Sequence, residues 1–126
     1  MLELFLPLSE LISQKSVLLI DEIESSLHQE LLEKFLQLYI QCSEYSQIIF
    51  TTHNQDLLDS DLLRDDEIWF CDKKENGRSE YNCITDFTGI RKEASRKKLY
   101  QADKFNALPI IDMLSLMEMF NAEKNR

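Results

Sequence analysis

The stretch SVLLIDEIESSLH, residues 16–28, decides the fold, because four apolar residues run directly into two adjacent carboxylates. The run Val17–Ile20 is continuously apolar rather than alternating, which is typical of a strand covered on both faces, as in a parallel sheet. Asp21 and Glu22 follow at its carboxyl end. Ligands of open α/β sheets bind at that end of the strands, so the position of the carboxylate pair suggests a site.

A helix and a second apolar strand follow this stretch. Apolar residues recur at helical spacing from Ser26 to about residue 43, with Ser25 or Ser26 as the expected N-cap and Glu30 near the first turn. The next apolar run, QIIFTT at residues 47–52, is predicted to be a strand. Strand–helix–strand at this spacing predicts a βαβ unit with a parallel sheet and a right-handed crossover, and therefore an α/β fold.

The other segments are assigned from the same kinds of pattern. Residues 1–14 are predicted to form an amphipathic helix, residues 16–60 the βαβ unit with a polar turn after it, residues 66–86 a hairpin around Asn76-Gly77, and residues 91–122 terminal helices. Within that last segment, residues 91–104 are basic and residues 107–122 carry a stripe of Leu, Met and Ile. Trp69 and Phe70 are expected in the core of the hairpin.

Composition and charge limit the function. The chain has 126 residues, of which 44% are apolar and 29% charged, values ordinary for one soluble globular domain or part of one. Residues 1–90 carry 6 basic and 18 acidic side chains, a balance of −12, whereas residues 91–126 carry 8 and 5, a balance of +3. The acidic body argues against a general nucleic-acid binder, and the basic cluster is more simply a solvated helix face.

The scarce residue types exclude several kinds of site. The three cysteines form no CxxC pair, which predicts a reduced, cytoplasmic protein without a zinc site. No apolar run is long enough to span a bilayer. Gly77 and Gly89 are the only glycines, so these 126 residues contain no glycine-rich phosphate loop.

The residues TTHN, 51–54, end the second predicted strand, so they should lie near Asp21 and Glu22 in space. An Asp at such a strand end can hold Mg²⁺, often through water, and a neighbouring Glu can polarise an attacking water. A His beside a terminal phosphate can donate a hydrogen bond to developing charge. The simpler alternative is that the two carboxylates only cap the coming helix, but this does not explain Thr-Thr-His in the next strand.

These motifs resemble those of a known superfamily. VLLIDEIESSLH is similar to the Walker B strand and D-loop of ABC-type P-loop ATPases, and IIFTTHN is similar to their switch-histidine strand. The likeness is closest to the SMC- and RecF-like branch, which implies a bacterial phage-defence or DNA-maintenance system. Within it, the stretch RDDEIWFCDKKENGRSEYNCITDF, followed by RK and ALP, resembles AAA-family ATPases of bacterial phage-defence and abortive-infection systems. The resemblance covers residues 16–109.

The resemblance implies a role for each matching residue. Asp21 would be the Walker B aspartate associated with Mg²⁺, Glu22 the catalytic base that orients water, and His53 the switch histidine that senses the γ-phosphate. Ser26, with its neighbours 25 and 27, would form the D-loop. This loop would cross to the partner subunit in a dimer that holds ATP between its two subunits. The implied cofactors are ATP and Mg²⁺, and the implied location is the cytoplasm. His28 is more simply a residue of the helix surface, and Gln29 stands where the family usually has Pro.

Such ATPases carry the P-loop, the Q-loop and the signature motif before Walker B, and these 126 residues contain none of them. Residues 1–14 would then be the remnant of the signature helix. We therefore expect the C-terminal half of an ATPase domain, as a fragment, a remnant or a split subunit, that does not hydrolyse ATP alone. It would form a homodimer or pair with a partner ATPase half through the D-loop face.

Two alternatives remain at this point. The chain could be a non-catalytic interaction module that pairs with a full-length ATPase or an effector protein and modulates it. The stripe at residues 110–120 and an uncovered sheet edge would then supply the contact surface. Alternatively, DEIE and FTTH could be helicase motifs, although no second helicase half accompanies them.

Overall fold

The structure is a computed structural model that describes residue 10 and residues 12–25, 27–91, 93–108 and 113–124. The chain divides into two compact units, residues 1–64 and 65–126. Among the residues that are described, no helix combines the length and the apolar character needed to cross a bilayer.

The first unit contains the predicted βαβ arrangement. Strand β1 (Val17–Ile20) pairs in parallel with β2 (Gln47–Phe50), and helix α1 (Gln29–Cys42) connects them. The register sets Val17 opposite Gln47 and Ile20 opposite Phe50, so both strands end at the same level. This confirms the α/β class with a small parallel sheet. Thr51 and Thr52 lie beyond the strand rather than within it.

Helix α1 begins three residues later than predicted. The chain first makes a 3-10 turn at Ile23–Ser25, and the N-cap of α1 is His28, whose side chain makes no capping hydrogen bond. The prediction of Ser25 or Ser26 as the N-cap is therefore wrong, and Ser26 itself lies outside the described residues. Glu30 occupies the first turn, as expected, where a negative charge suits the helix dipole.

The core of the first unit lies on one face of the sheet. The apolar stripe of α1 packs there with residues of the flanking turns, and the buried set is Ile23, Leu27, Leu32, Phe35, Leu36, Tyr39 and Leu57. Leu18, Ile20, Ile48 and Phe50 face this core from the strands. The alternate residues point away, and Val17, Leu19 and Ile49 are 60%, 71% and 52% exposed. Coverage of β1 on both faces was expected, and within the described residues that prediction is wrong.

The second unit contains the predicted hairpin. Strand β3 (Trp69–Lys73) pairs antiparallel with β4 (Ser79–Cys83), and Gly77 adopts φ +81° in the connecting turn. Phe70 is buried and stacks on Phe105, with ring centroids 4.5 Å apart. Trp69 is 61% exposed, so its assignment to the core is wrong. Consecutive strand residues point to opposite faces, so two adjacent residues cannot share one buried face.

Two helices follow the hairpin. Helix α2 (Arg96–Gln101) is shorter than the predicted segment 91–104, because Ser95 caps it and accepts a hydrogen bond from Lys98 N at 3.2 Å. Helix α3 (Met113–Lys124) begins later than the predicted residue 107, and residues 109–112 lie outside the described residues. Of the Leu/Met stripe, the side chains of Met113, Leu114, Leu116, Met117, Met119 and Phe120 are exposed. The part of the prediction that concerns residues 1–9 also lies outside the described residues.

Candidate functional site

The carboxyl ends of β1 and β2 lie side by side, as the sequence predicted. Beyond the last ladder pair, Thr51 N donates to Ile20 O at 3.0 Å, and Ile23 N donates back to Thr51 O at 3.0 Å. These backbone hydrogen bonds extend the pairing of the two chains past the strands. Asp21 and Glu22 are therefore held against the segment 51–54, which contains His53.

Thr51 connects the two segments through its side chain. Its hydroxyl donates to Asp21 Oδ1 at 2.5 Å and accepts a hydrogen bond from Glu22 N at 2.8 Å. One hydroxyl thus orients the Asp21 carboxylate and fixes the backbone of the next residue. From the sequence, Thr51 is expected mainly to end the strand. Its contact with both acidic residues gives it a second role that only the structure shows.

Glu22 has an unusual backbone conformation. Its φ is +48°, in the left-handed region that non-glycine residues seldom adopt. Such a conformation costs about 1–2 kcal/mol for a residue with a Cβ atom and persists where neighbouring contacts enforce it. The bond from Glu22 N to the Thr51 hydroxyl is such a contact. The bend turns the chain sharply at the residue after Asp21.

Glu22 and His53 face each other across the site. Glu22 Oε1 and His53 Nε2 are 3.6 Å apart, and their side chains are 59% and 83% exposed. The two groups form an ion pair when the imidazole is protonated. Because both are open to solvent, that pair contributes little to folding and both side chains can contact a ligand.

Glu24 is a third carboxylate at the site, and no role for it is predicted from the sequence. Its Oε2 accepts a hydrogen bond from the Thr52 hydroxyl and its Oε1 accepts one from His53 N, both at 2.7 Å. Partial burial acts to raise the pKa of Glu24. These two hydrogen bonds and the nearby His53 imidazole together lower it by more, so the pKa of Glu24 lies below the ordinary 4.5. The Asp-Glu-x-Glu alternation was the signal that could have identified it.

The segment that follows His53 is also fixed to α1. Asn54 Oδ1 accepts a hydrogen bond from Asp56 N at 3.0 Å and so caps the 3-10 turn Gln55–Asp59. Gln29, at the first position of α1, donates to the Asp56 carboxylate at 2.6 Å. The departure from proline at position 29 therefore supplies a side-chain contact that proline could not make. His28, at the N-cap, is exposed, in agreement with a surface role.

The carboxylate oxygens at the site suit a hard cation such as Mg²⁺, which takes most of its ligands from waters and phosphate oxygens. Asp21 is exposed at the strand end, and an oxygen from one or two carboxylates, with waters and phosphate oxygens, is the usual coordination of Mg²⁺. Within the part of the chain that is described, no group of three or more His, Cys, Asp or Glu is arranged to hold a metal ion.

Comparison with known families adds one finding. Residues 1–59 match the model of a family described as an AAA domain, AbiEii toxin-like, of type IV toxin–antitoxin systems. The matched residues include β1, α1, β2 and the whole candidate site. This match supports a relationship to AAA-type P-loop ATPases, a family whose members in general depend on nucleotide and Mg²⁺. Neither a curated protein nor a solved structure matches the chain significantly.

Proposed function

We propose that this chain carries the metal-binding and water-activating side of an ATP-hydrolysing site in a P-loop ATPase domain. One observation supports this most directly: the ends of β1 and β2 bring Asp21, Glu22 and His53 to one exposed edge of a parallel sheet. Helix capping would require none of these contacts with the segment after β2. The family match over residues 1–59 supports the same class of protein.

Each of the three side chains has a separate task in this proposal. Asp21 would hold Mg²⁺, directly or through water, and the ion would supply positive charge beside the phosphates. Glu22 accepts a hydrogen bond from the attacking water and orients it. His53 donates a hydrogen bond toward the terminal phosphate, where negative charge develops. Ser26, which lies outside the described residues, contributes to the nucleotide contact from the D-loop.

The P-loop must come from a segment other than these 126 residues, since they contain only two glycines and no Walker A motif. The sheet surface is consistent with such a complement. Val17, Leu19 and Ile49 leave an apolar face exposed, and parallel sheets are normally covered on both faces. In this proposal the completing half belongs to a partner ATPase or a second subunit, and the D-loop side faces it. The chain alone is then inactive as an ATPase.

The biological setting is proposed from the family description and from the hairpin motif. A toxin–antitoxin or abortive-infection system of bacteria, acting in phage defence, fits the description of the matched family. The absence of a CxxC pair and the three free cysteines fit a reduced, cytoplasmic setting.

The proposal is tested by magnetic resonance, which detects weak binding. Mn²⁺ together with ATP is added to the ¹⁵N-labelled 126-residue chain, so that the paramagnetic ion broadens nearby amide signals. Broadening is expected to be strongest at residues 21–24 and 51–54 and weaker at residues 42–46, near the amino end of β2. It should be lost in Asp21→Asn and retained in Asp61→Asn, a matched change at an exposed aspartate outside the site. Glu22→Gln should retain it, since Glu22 acts on water.

Two results would reject the proposal. The first is broadening that is unchanged in Asp21→Asn, because the metal would then be held elsewhere. The second is an absence of selective broadening at saturating Mn²⁺ and ATP in the unmodified chain.

A second candidate function is the non-catalytic interaction module. The exposed apolar side chains of α3 favour it, since Leu114 is 74% and Phe120 69% exposed. In that case the chain modulates a full-length ATPase or effector, and nucleotide is not its ligand. Loss of modulation in Phe120→Glu, with no effect of Asp21→Asn, would favour the module over the ATPase site.

A further inference from the structure

Glu24 lies in the 3-10 turn Ile23–Ser25 between the carboxylate pair and α1, and it contacts the opposite segment. Both of its carboxylate oxygens are engaged, one by the Thr52 hydroxyl and the other by the backbone N–H of His53. These partners are 28 and 29 residues away along the chain. The two hydrogen bonds therefore determine where one strand end lies relative to the other, and they do not stabilise a local turn.

The bonds of Glu24 complement those of Thr51. Thr51 projects from the segment after β2 and holds Asp21 and Glu22, whereas Glu24 projects from the segment after β1 and holds Thr52 and His53. The hydroxyl of Thr52 also accepts a hydrogen bond from Asn54 N at 3.0 Å. The backbone on both sides of His53 is therefore tied to a single carboxylate.

The pair formed by Glu22 and His53 needs such an anchor. Its atoms are 3.6 Å apart, and more than half of each side chain is open to solvent. Exposed pairs are weak, because the two side chains lose conformational freedom in order to stay together. Packing therefore does not hold His53 toward Glu22, and the position of its backbone must do so.

We propose that Glu24 is a positioning residue that sets the place of His53 relative to Glu22. Its relevance to catalysis rests on the proposed function, because the placement of the histidine matters only if the site acts on a phosphate. Small errors in the placement of such groups are costly in catalysis. The same geometry separates the roles of the carboxylates. Glu24 commits both oxygens to the protein, whereas Glu22 presents an exposed carboxylate to a ligand.

The chain offers a favourable experiment, because His28 and His53 are its only histidines. The imidazole proton resonances of both are recorded in the unmodified chain and assigned with His53→Gln. In an otherwise unmodified chain, Glu22→Gln should shift the His53 resonances and leave those of His28 unchanged. In the Glu24→Gln background, the same Glu22→Gln change should shift the His53 resonances by less than half as much.

Two matched variants separate positioning from a general effect on folding. Thr52→Val removes one of the hydrogen bonds to Glu24 at nearly constant volume, and it should weaken the coupling between Glu22 and His53. Thr52→Ser keeps the hydroxyl and should restore it. Glu44→Gln, a change at an exposed residue near the opposite end of β2, should leave the coupling intact. If Glu24→Gln does not fold, the comparison of Thr52→Val with Thr52→Ser tests the positioning role of Glu24 instead.

The proposal is overturned if Glu22→Gln shifts His53 equally in the presence and absence of Glu24, or if it does not shift His53 in the unmodified chain. Neither result depends on nucleotide. If the coupling depends on Glu24 but Mn²⁺ and ATP cause no selective broadening, the positioning role stands and the proposed ATPase function fails. The two proposals can therefore fail separately.

Discussion

The two units of this chain use polar side chains in different ways. At the ends of β1 and β2, side-chain hydrogen bonds join residues 27 to 30 positions apart, as between Gln29 and Asp56 or Asp21 and Thr51. Around the hairpin, the described side-chain bonds include short-range ones, as where Asn76 accepts from Arg78 N or Asp86 from Cys83 N. Asp65 also makes long-range bonds there, to Arg96 at 2.9 Å and from Cys83 Sγ to its carbonyl oxygen at 3.4 Å.

The long-range bonds at the two strand ends are consistent with the proposed ligand site there. Short-range bonds close turns and cap helices, and they serve the local backbone. Long-range bonds between polar residues at two strand ends hold side chains in a fixed relation that the turns themselves do not require. The second unit contains an aromatic cluster, in which Phe105 contacts both Phe70 and Phe87. The following variants test this contrast.

The largest effect is expected in the aromatic cluster. Phe70→Ala removes a buried ring and should lower the free energy of unfolding by about 3–5 kcal/mol, the usual cost of a large-to-small change in a core. Trp69→Ala, at the adjacent but exposed position, is the matched control and should change it by less than about 1 kcal/mol. Chemical denaturation followed by circular dichroism measures both. Equal losses for the two variants would contradict the assignment of the buried face.

The next largest effect is expected at Glu24. Glu24→Gln removes the charge from two hydrogen bonds at constant size, and we expect a loss of about 1–2 kcal/mol, since charged hydrogen bonds are the stronger class. Glu30→Gln, at an exposed residue in the first turn of α1, should lose only about 0.5 kcal/mol through the helix dipole. If the two losses were equal, the long-range bonds of the site would be no stronger than local ones.

The sequence predicted most of the fold, because the signals for it are local. The apolar run of β1, the helical stripe of α1 and the Asn-Gly turn each lie within a few consecutive residues, and each element is present. Most of the failures concern long-range structure. The exposure of Leu19 and the two partners of Glu24 depend on which distant residues pack nearby, and no local pattern encodes this. The exposure of Trp69 follows instead from the alternation of side chains along β3, which places it opposite the buried Phe70.

The candidate site was predicted in part for the same reason. That Asp21 and Glu22 would meet Thr51 and His53 followed from the parallel pairing of two recognisable strands. The late start of α1 did not follow, because a 3-10 turn inserted before it leaves His28 rather than a serine at the N-cap. The left-handed backbone of Glu22 also had no signal, since such positions favour Gly, Asn or Asp.

That backbone conformation gives a third prediction. Because φ of Glu22 is +48°, Glu22→Gly should give a protein more stable than Glu22→Ala by about 1 kcal/mol. Elsewhere in ordered structure the order is the reverse, with glycine less stable than alanine by roughly 0.5–1 kcal/mol. The comparison uses two variants that both lack the carboxylate, so the charge of Glu22 does not enter. Thermal denaturation of both variants measures it, and a more stable alanine variant would show that the left-handed bend is not present in solution.

The smallest effect is the pH dependence that Glu24 imparts. Its pKa in the folded chain is lowered, chiefly because the hydrogen bonds from His53 N and Thr52 outweigh the opposing effect of partial burial. The folded state therefore binds this proton less readily than the unfolded state. The stabilisation is fully present above the ordinary pKa of 4.5 and is lost as the pH falls through the lower folded value. Acid denaturation should thus be shallower in Glu24→Gln than in the unmodified chain, whereas Glu44→Gln, outside the site, should retain the original slope. Identical slopes in all three proteins would mean that Glu24 does not hold the two strand ends together through its charge.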